Sequence, residues 1–153
     1  MRHGPAAVPP GSSEAPGVGP GRRRAPLVIG VLRLAAFLGF SGVALGAFGA
    51  HGLRQRISPA MLEVYRTGVL YQLIHALATL AIALAGRHLR RARAIATLFG
   101  IGVALFSGSL YLMALTGVTA LGAITPLGGL AFLAGWAVLF ASASAARTPP
   151  SDK

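Results

Sequence analysis

Residues 94–146 read AIATLFGIGVALFSGSLYLMALTGVTALGAITPLGGLAFLAGWAVLFASASAA, 53 residues without a single Asp, Glu, Lys or Arg. As one helix this run would extend roughly 80 Å at ~1.5 Å per residue. The hydrocarbon core of a bilayer is only ~30 Å thick and takes about 20 helical residues. The run must therefore turn once, and Thr116-Gly117-Val118-Thr119 marks the place, because glycine punctuates helices. Toward the N-terminus, residues 34–53 and 67–86 are two further charge-free runs of 20 residues each. The chain is thus predicted to be all-α, an integral membrane bundle of four transmembrane helices, with spans at about 30–52, 66–86, 94–116 and 120–145.

The composition agrees with that count. Of 153 residues, 54% are hydrophobic and 11% charged, whereas soluble domains carry about a quarter charged residues. A water-soluble single-core domain is excluded. The absence of cysteine removes disulfide frameworks, thiolate metal sites and cysteine nucleophiles. Fourteen Lys+Arg against three Asp+Glu leave a formal charge of +11. Anionic lipid headgroups and the positive-inside bias account for it without nucleic acid. The lipid bilayer is the expected partner, alongside a second copy of the chain or another membrane protein.

Residues 1–26 hold six prolines, five glycines and no aromatic residue. Such a segment buries too little apolar surface to offset its ordering entropy, and a disordered cytoplasmic tail is predicted. Residues 147–153 read as a second short cytoplasmic tail, which leaves 27–146 as the transmembrane domain. A cleaved signal peptide competes for Arg22-Arg23-Arg24 and the apolar run behind it. Its h-region would span ~7–15 residues; this run is longer and is spaced with glycines, so a retained span is expected.

Lys and Arg near the span ends set the orientation. Nine (Arg22, Arg23, Arg24, Arg87, Arg90, Arg91, Arg93, Arg147, Lys153) fall on the side of the termini, and three (Arg54, Arg56, Arg66) on the other. A multi-pass plasma (inner) membrane protein with both termini cytoplasmic follows. Arg33, near the start of the first span, can snorkel to the headgroups. Ser58-Pro59 forms a start signal for the second helix, serine as N-cap and proline at the first position.

Small residues in the first span fall at Ala35, Gly39, Gly42, Gly46 and Gly49, in steps of 4, 3, 4 and 3. One seam of that helix lacks side chains, which lets backbones approach where lipid offers no hydrophobic drive. Gly100, Ala104 and Gly108 repeat the pattern in the third span. The second span carries Gly68, Gln72, His75 and Thr79 at the same steps, with Tyr71 beside them. Polar groups in hydrocarbon need partners, so this stripe is expected to point into the bundle and onto the glycine seam. Gly42 or Gly46 must then stay small.

His75 lies midway through its charge-free run, and an ionisable residue there is a functional-site candidate by default. The alternative is a neutral imidazole hydrogen-bonded within the bundle. His51 ends the first helix near the surface, at an expected depth roughly 10 Å from His75. The two are not expected to share a haem iron or other metal, and no third histidine lies in a span to complete a zinc site. No metal and no cofactor is predicted. Ser107 and Ser109 lie on a small-residue helix and are expected to be helix–helix glue rather than a nucleophile. The acids Glu14, Glu63 and Asp152 all fall outside the expected hydrocarbon, so no paired carboxylates exist for acid–base work and no enzyme is expected. Thr125-Pro126 either starts the fourth helix or kinks one that began near Thr119.

Four segments, residues 46–53 (GAFGAHGL), 67–77 (TGVLYQLIHAL), 105–117 (LFSGSLYLMALTG) and 121–136 (LGAITPLGGLAFLAGW), occur in that order. Together they closely resemble the small membrane protein family known as domain of unknown function 423, whose animal relatives are called transmembrane protein 256. The resemblance covers roughly residues 32–139 and implies a four-helix inner-membrane protein of bacterial type. It also implies His51, Tyr71, Gln72, His75, Ser107, Tyr111, Thr125 and Pro126 as pattern positions. The chain departs from its relatives at Gly68, where alanine is more usual, and in its long N-terminal tail. The functional expectation is a non-enzymatic membrane protein with a helix-packing or assembly role. A small oligomeric transporter or channel is the alternative, against which the lack of a membrane-embedded glutamate counts. A subunit of a membrane enzyme that meets quinone or haem through His75 is a third.

Overall fold

The structure, a computed structural model, describes Met1 and residues 25–85, 89 and 91–145. The two expected tails, save Met1, Ala25 and Pro26, lie outside the described residues, as do 86–88 and Arg90 of the basic link. Four helices follow one another. Helix α1 runs Ala25–Ala47 and continues in π-helical form through Phe48–Leu53; α2 is Pro59–Ala85. Helix α3 spans Ala92–Thr116 with a π-helical stretch, Val103–Ser107, inside it, and α4 is Thr125–Ala145. All four are long and apolar enough to cross a membrane, as the charge-free runs predict.

Local chemistry sets the ends. Pro59 opens α2, and the Ser58 hydroxyl accepts the Met61 N–H at 3.3 Å, which satisfies one of the donors a helix start leaves free. The single turn inside the 53-residue run falls at Gly117, whose φ of +74° is the left-handed cap that closes α3. Its N–H returns to the Met113 carbonyl at 2.9 Å, and a side chain there would be strained. Extended Val118 then reverses the chain into a 3-10 turn, Thr119–Ala123, before α4 starts at Thr125. Of the two openings expected for α4, the chain takes the start at Thr125-Pro126 and precedes it with that tight turn.

Helices α2 and α3 form the inner pair; α1 lies on α2, α4 lies on α3, and α1 also touches the first part of α3. Accordingly 39% of the most apolar stretch of α2 and of α3 is buried, against 22% for α1 and 17% for α4. Gly68, Gln72, His75 and Thr79 are all buried, so the polar stripe does point into the bundle.

Close approach is achieved by seating large side chains on glycines. A Cβ on Gly49 would come within 2.8 Å of the Tyr65 ring, one on Gly42 within 2.7 Å of Leu73 Cδ2, and one on Gly68 within 2.8 Å of the Tyr111 ring. Between α3 and α4 the pattern is reciprocal: Phe132 sits on Gly102, and Phe99 on Gly135 at 2.6 Å. Two expectations need correction. Gly39 has nothing within 4 Å and Gly46 only Val69 at 3.3 Å, so the contact on α1 concentrates at Gly42 and Gly49. On α3 the expected seam of Gly100, Ala104 and Gly108 packs only at Gly100, against Leu34 of α1 at 3.4 Å: Ala104 is exposed and Gly108 meets nothing, while Gly102 takes the ring.

Candidate functional site

Gln72 and His75 are one helical turn apart on α2, yet they serve different partners. The Gln72 amide is the hub on one side. Its Nε2 donates to the Leu38 carbonyl at 2.9 Å and to Ser41 Oγ at 2.8 Å, both on α1. Its Oε1 accepts the Tyr111 hydroxyl of α3 at 2.9 Å. Ser41 passes its own proton to the Phe37 carbonyl at 2.7 Å. Three helices are thereby joined through one amide whose two N–H groups are both used. Above it, the Tyr65 ring tilts against Tyr111 at 4.8 Å, and the Tyr65 hydroxyl donates to the Leu45 carbonyl at 3.1 Å.

His75 turns the other way, away from the glycine seam it was expected to face. Its ring stacks on Phe132 of α4, centroids 3.5 Å apart and planes within 10°. Phe99 of α3 meets it edge-on at 5.1 Å, and Trp136 closes the far side at 6.2 Å. Tyr71, half exposed, extends the cluster through Phe106 at 4.5 Å. The ring nitrogens are both occupied: Nδ1 lies 2.8 Å from the Tyr71 carbonyl and Nε2 3.3 Å from Trp136 Nε1. A carbonyl can only accept and an indole N–H can only donate. The two contacts together select the neutral imidazole with its proton on Nδ1 and its lone pair on Nε2. The residue is 4% exposed, against 44% for Trp136, so the indole is the wall between the imidazole and lipid.

The remaining candidates fall around these two centres. Thr79 donates to the His75 carbonyl at 2.6 Å. Ser109 and Thr125 share a hydrogen bond of 2.8 Å, which ties α3 to the start of α4; the Thr125 hydroxyl is spent there. Pro126 is exposed beside it. Ser107 is fully buried with no hydrogen-bond partner for its hydroxyl. His51 is exposed on the π-helical end of α1, apart from His75, and among the described residues no three metal-ligating side chains group together.

Several participants were missed in the sequence. Ser41 was findable, since it is the only Ser, Thr or Tyr in residues 25–53 and a buried polar stripe needs partners. Phe132 and Trp136 were findable too: they are an i, i+4 pair on α4 close to Gly128 and Gly135, and such pairs share a helix face. Phe99 and Gly102 carried no such signal, because their face of α3 competes with the regular spacing of Gly100, Ala104 and Gly108.

Residues 45–129 match the family described as Protein of unknown function (DUF423). The chain is 42% identical over 113 residues to the UPF0382 membrane protein YwdK of Bacillus subtilis (strain 168), a match covering 72% of this chain and 92% of that one. It is 41% identical over 118 residues to the UPF0382 inner membrane protein YgdD of Escherichia coli (strain K12), covering 74% and 88%. A UPF0382 membrane protein of Haemophilus influenzae (strain ATCC 51907 / DSM 11121 / KW20 / Rd) is 46% identical over 84 residues, covering 54% and 68%. The chain belongs to the DUF423 family. No solved structure matches it. It is a membrane-embedded four-helix protein. The DUF423 match takes in Gln72, His75, Phe99, Tyr111 and Thr125, but ends before Phe132 and Trp136.

Proposed function

We propose that this DUF423 protein is a non-enzymatic assembly component of the inner membrane, with both termini in the cytoplasm. The carrying observation is where its interior polar groups are spent. Of the five buried polar side chains among the described residues, Gln72, His75, Thr79 and Ser109 all bond within the bundle. The bonds of Gln72, of His75 Nε2 with Trp136 and of Ser109 with Thr125 hold helices to one another. Those of His75 Nδ1 and Thr79 stay within α2, and the aromatic rings fill the space between the helices. That arrangement suits a rigid element presenting outer apolar faces to neighbours in the bilayer. The relative from Escherichia coli supports the inner membrane, and the nine-against-three distribution of Lys and Arg supports the orientation.

Two experiments test this. A photo-crosslinking residue at outer positions Phe40 and Val43 of α1 and Leu130 and Leu133 of α4 is expected to give a discrete protein adduct from one face in native membranes. Adducts to lipid alone from all four positions would refute the assembly role, and ion or solute flux through reconstituted vesicles would favour the transporter. The chain has no cysteine, so single Gln55→Cys and Leu89→Cys variants report orientation directly. Only Gln55→Cys is expected to react with an impermeant reagent outside intact cells; labelling of Leu89→Cys would reverse the topology.

A further inference from the structure

At the start of α3 the surface carries a shallow, open depression of about 640 Å³ lined by exposed Arg91, Arg93, Ala94 and Thr97 and by half-buried Leu98. We propose that this groove is a binding site for the headgroup of an anionic phospholipid such as phosphatidylglycerol. The lining residues are layered. Arg91, Ala94 and Leu98 follow at i, i+3 and i+7, and Arg93 with Thr97 at i, i+4, so they share one side of the helix. From the arginines to Leu98 the groove descends about 10 Å along the axis. The two charges and Ala94 lie at the rim, and Thr97 and Leu98 lie together about one turn below them. A phospholipid likewise presents its phosphate first and its glycerol esters and acyl chains below.

The charge at the rim is uncommitted. Among the described residues neither guanidinium has an ion-pair or hydrogen-bond partner. The described acid, Glu63, is on the first turns of α2 at the opposite end of the bundle, and its carboxylate already holds Arg66 at 2.6 Å. Guanidinium groups grip phosphate oxygens through two parallel N–H bonds, and basic pockets flanking membrane helices recognise anionic headgroups. The volume is within the range of pockets that hold small ligands. A free anion would satisfy the arginines but would leave Ala94 and Leu98 unused, and this favours the lipid.

The test titrates phosphatidylglycerol into the full chain in a zwitterionic detergent and counts bound lipid by native mass spectrometry. Each near-surface arginine contributes roughly fivefold, so Arg91→Gln/Arg93→Gln is expected to weaken binding about thirtyfold. Arg54→Gln/Arg56→Gln, at the other end of the bundle, is expected to change it by no more than about twofold. Thr97→Trp leaves both arginines and fills the groove, and it is expected to abolish the tight site; it decides alone should the arginine pair prove necessary for folding. Equal weakening by the two arginine pairs would mean diffuse attraction and overturn the site. So would undiminished binding to Thr97→Trp. Displacement of the lipid by an equal concentration of inorganic phosphate would assign the arginines to a free anion instead.

Discussion

The α1–α2 and α3–α4 interfaces are both built by placing bulk on glycine, yet what faces the glycine differs. On α1, Gly42 meets the tip of Leu73 and Gly46 meets Val69 Cγ1 at 3.3 Å, ends of side chains that can rotate or slide. Between α3 and α4, Gly128 lies against the backbone nitrogen and Cα of Phe106, and Gly102 and Gly135 each lie under a ring packed among other rings. At Gly42 and Gly46 the first interface can adjust; only at Gly49 is it closed by a buried ring, that of Tyr65, and hydrogen bonds through Gln72 hold it in register. The second cannot adjust, and it is the one that encloses His75. A glycine's tolerance is therefore set by the mobility of its neighbour rather than by its place in a repeat.

The largest expected effect follows from that contrast. Forcing atoms into a packed interior costs about 1–3 kcal/mol, while replacing glycine by alanine within a helix returns up to ~1 kcal/mol of propensity. Gly128→Ala presses on backbone and should lose about 2 kcal/mol net. Gly42→Ala presses on the Leu73 side chain and, at 3.3 Å, on Gln72 Nε2, groups that can shift, so the net loss should be under about 1 kcal/mol. Reversible unfolding in mixed micelles measures both, and a larger loss at Gly42 would break the distinction between the interfaces.

Next in size is the imidazole itself. His75→Ala removes a ring stacked at 3.5 Å and leaves the Trp136 N–H without its acceptor. Truncations of buried side chains cost about 2–5 kcal/mol in soluble cores; in lipid, where the hydrophobic term is weaker, about 1–2 kcal/mol is expected. His75→Phe should recover most of it, because stacking on Phe132 outweighs a 3.3 Å hydrogen bond. Nitrogen-15 spectra of the wild-type imidazole are expected to show one protonated nitrogen, Nδ1. Protonation at Nε2 alone would mean that Trp136 does not close the site. Full loss in His75→Phe would make the hydrogen bond, not the stack, the main restraint.

On the α1–α2 side the matching measurement is a double-mutant cycle of Gln72→Leu with Ser41→Ala. Hydrogen bonds between membrane helices average ~0.6 kcal/mol and reach ~1.7. The Gln72–Ser41 bond at 2.8 Å is part-buried, and the same amide makes two further bonds, so a coupling near 1 kcal/mol is expected. A coupling of zero would assign the register of α1 and α2 to packing on Gly42 and Gly49 and to the Gln72 bond with the Leu38 carbonyl.

The four helices and their ends were legible because the signals are local: charge-free length, Ser58-Pro59, and one glycine in a 53-residue run. Burial of the α2 stripe was legible for the same reason. Its division was not. Gln72 and His75 are three residues apart and share the buried face of α2, but Gln72 lies toward α1 and His75 toward α4, and which neighbour stands on which side is a property of the bundle. The spacing of Gly39 and Gly46 is as regular as that of Gly42 and Gly49, yet the helix crossing brings only the latter pair against large side chains. A repeat names the candidates for contact; the partner helix selects among them.

Ser107 carries the smallest predicted effect. A helical serine ordinarily turns its hydroxyl onto a carbonyl three or four residues back, as Ser109 does onto Phe106 at 2.9 Å. For Ser107 the carbonyl four back is Val103, and in the π-helical stretch that oxygen accepts the N–H of Gly108 instead. The hydroxyl is buried and unpaired, which costs about 1–3 kcal/mol where a partner would otherwise be found. Ser107→Ala removes the stranded group with almost no change of shape, and stability should be unchanged or rise by up to ~1 kcal/mol. A fall of similar size would mean the hydroxyl is engaged once the bundle is in a bilayer. The π-helical stretch would then supply a polar contact between α2 and α3 rather than merely a local widening of the helix.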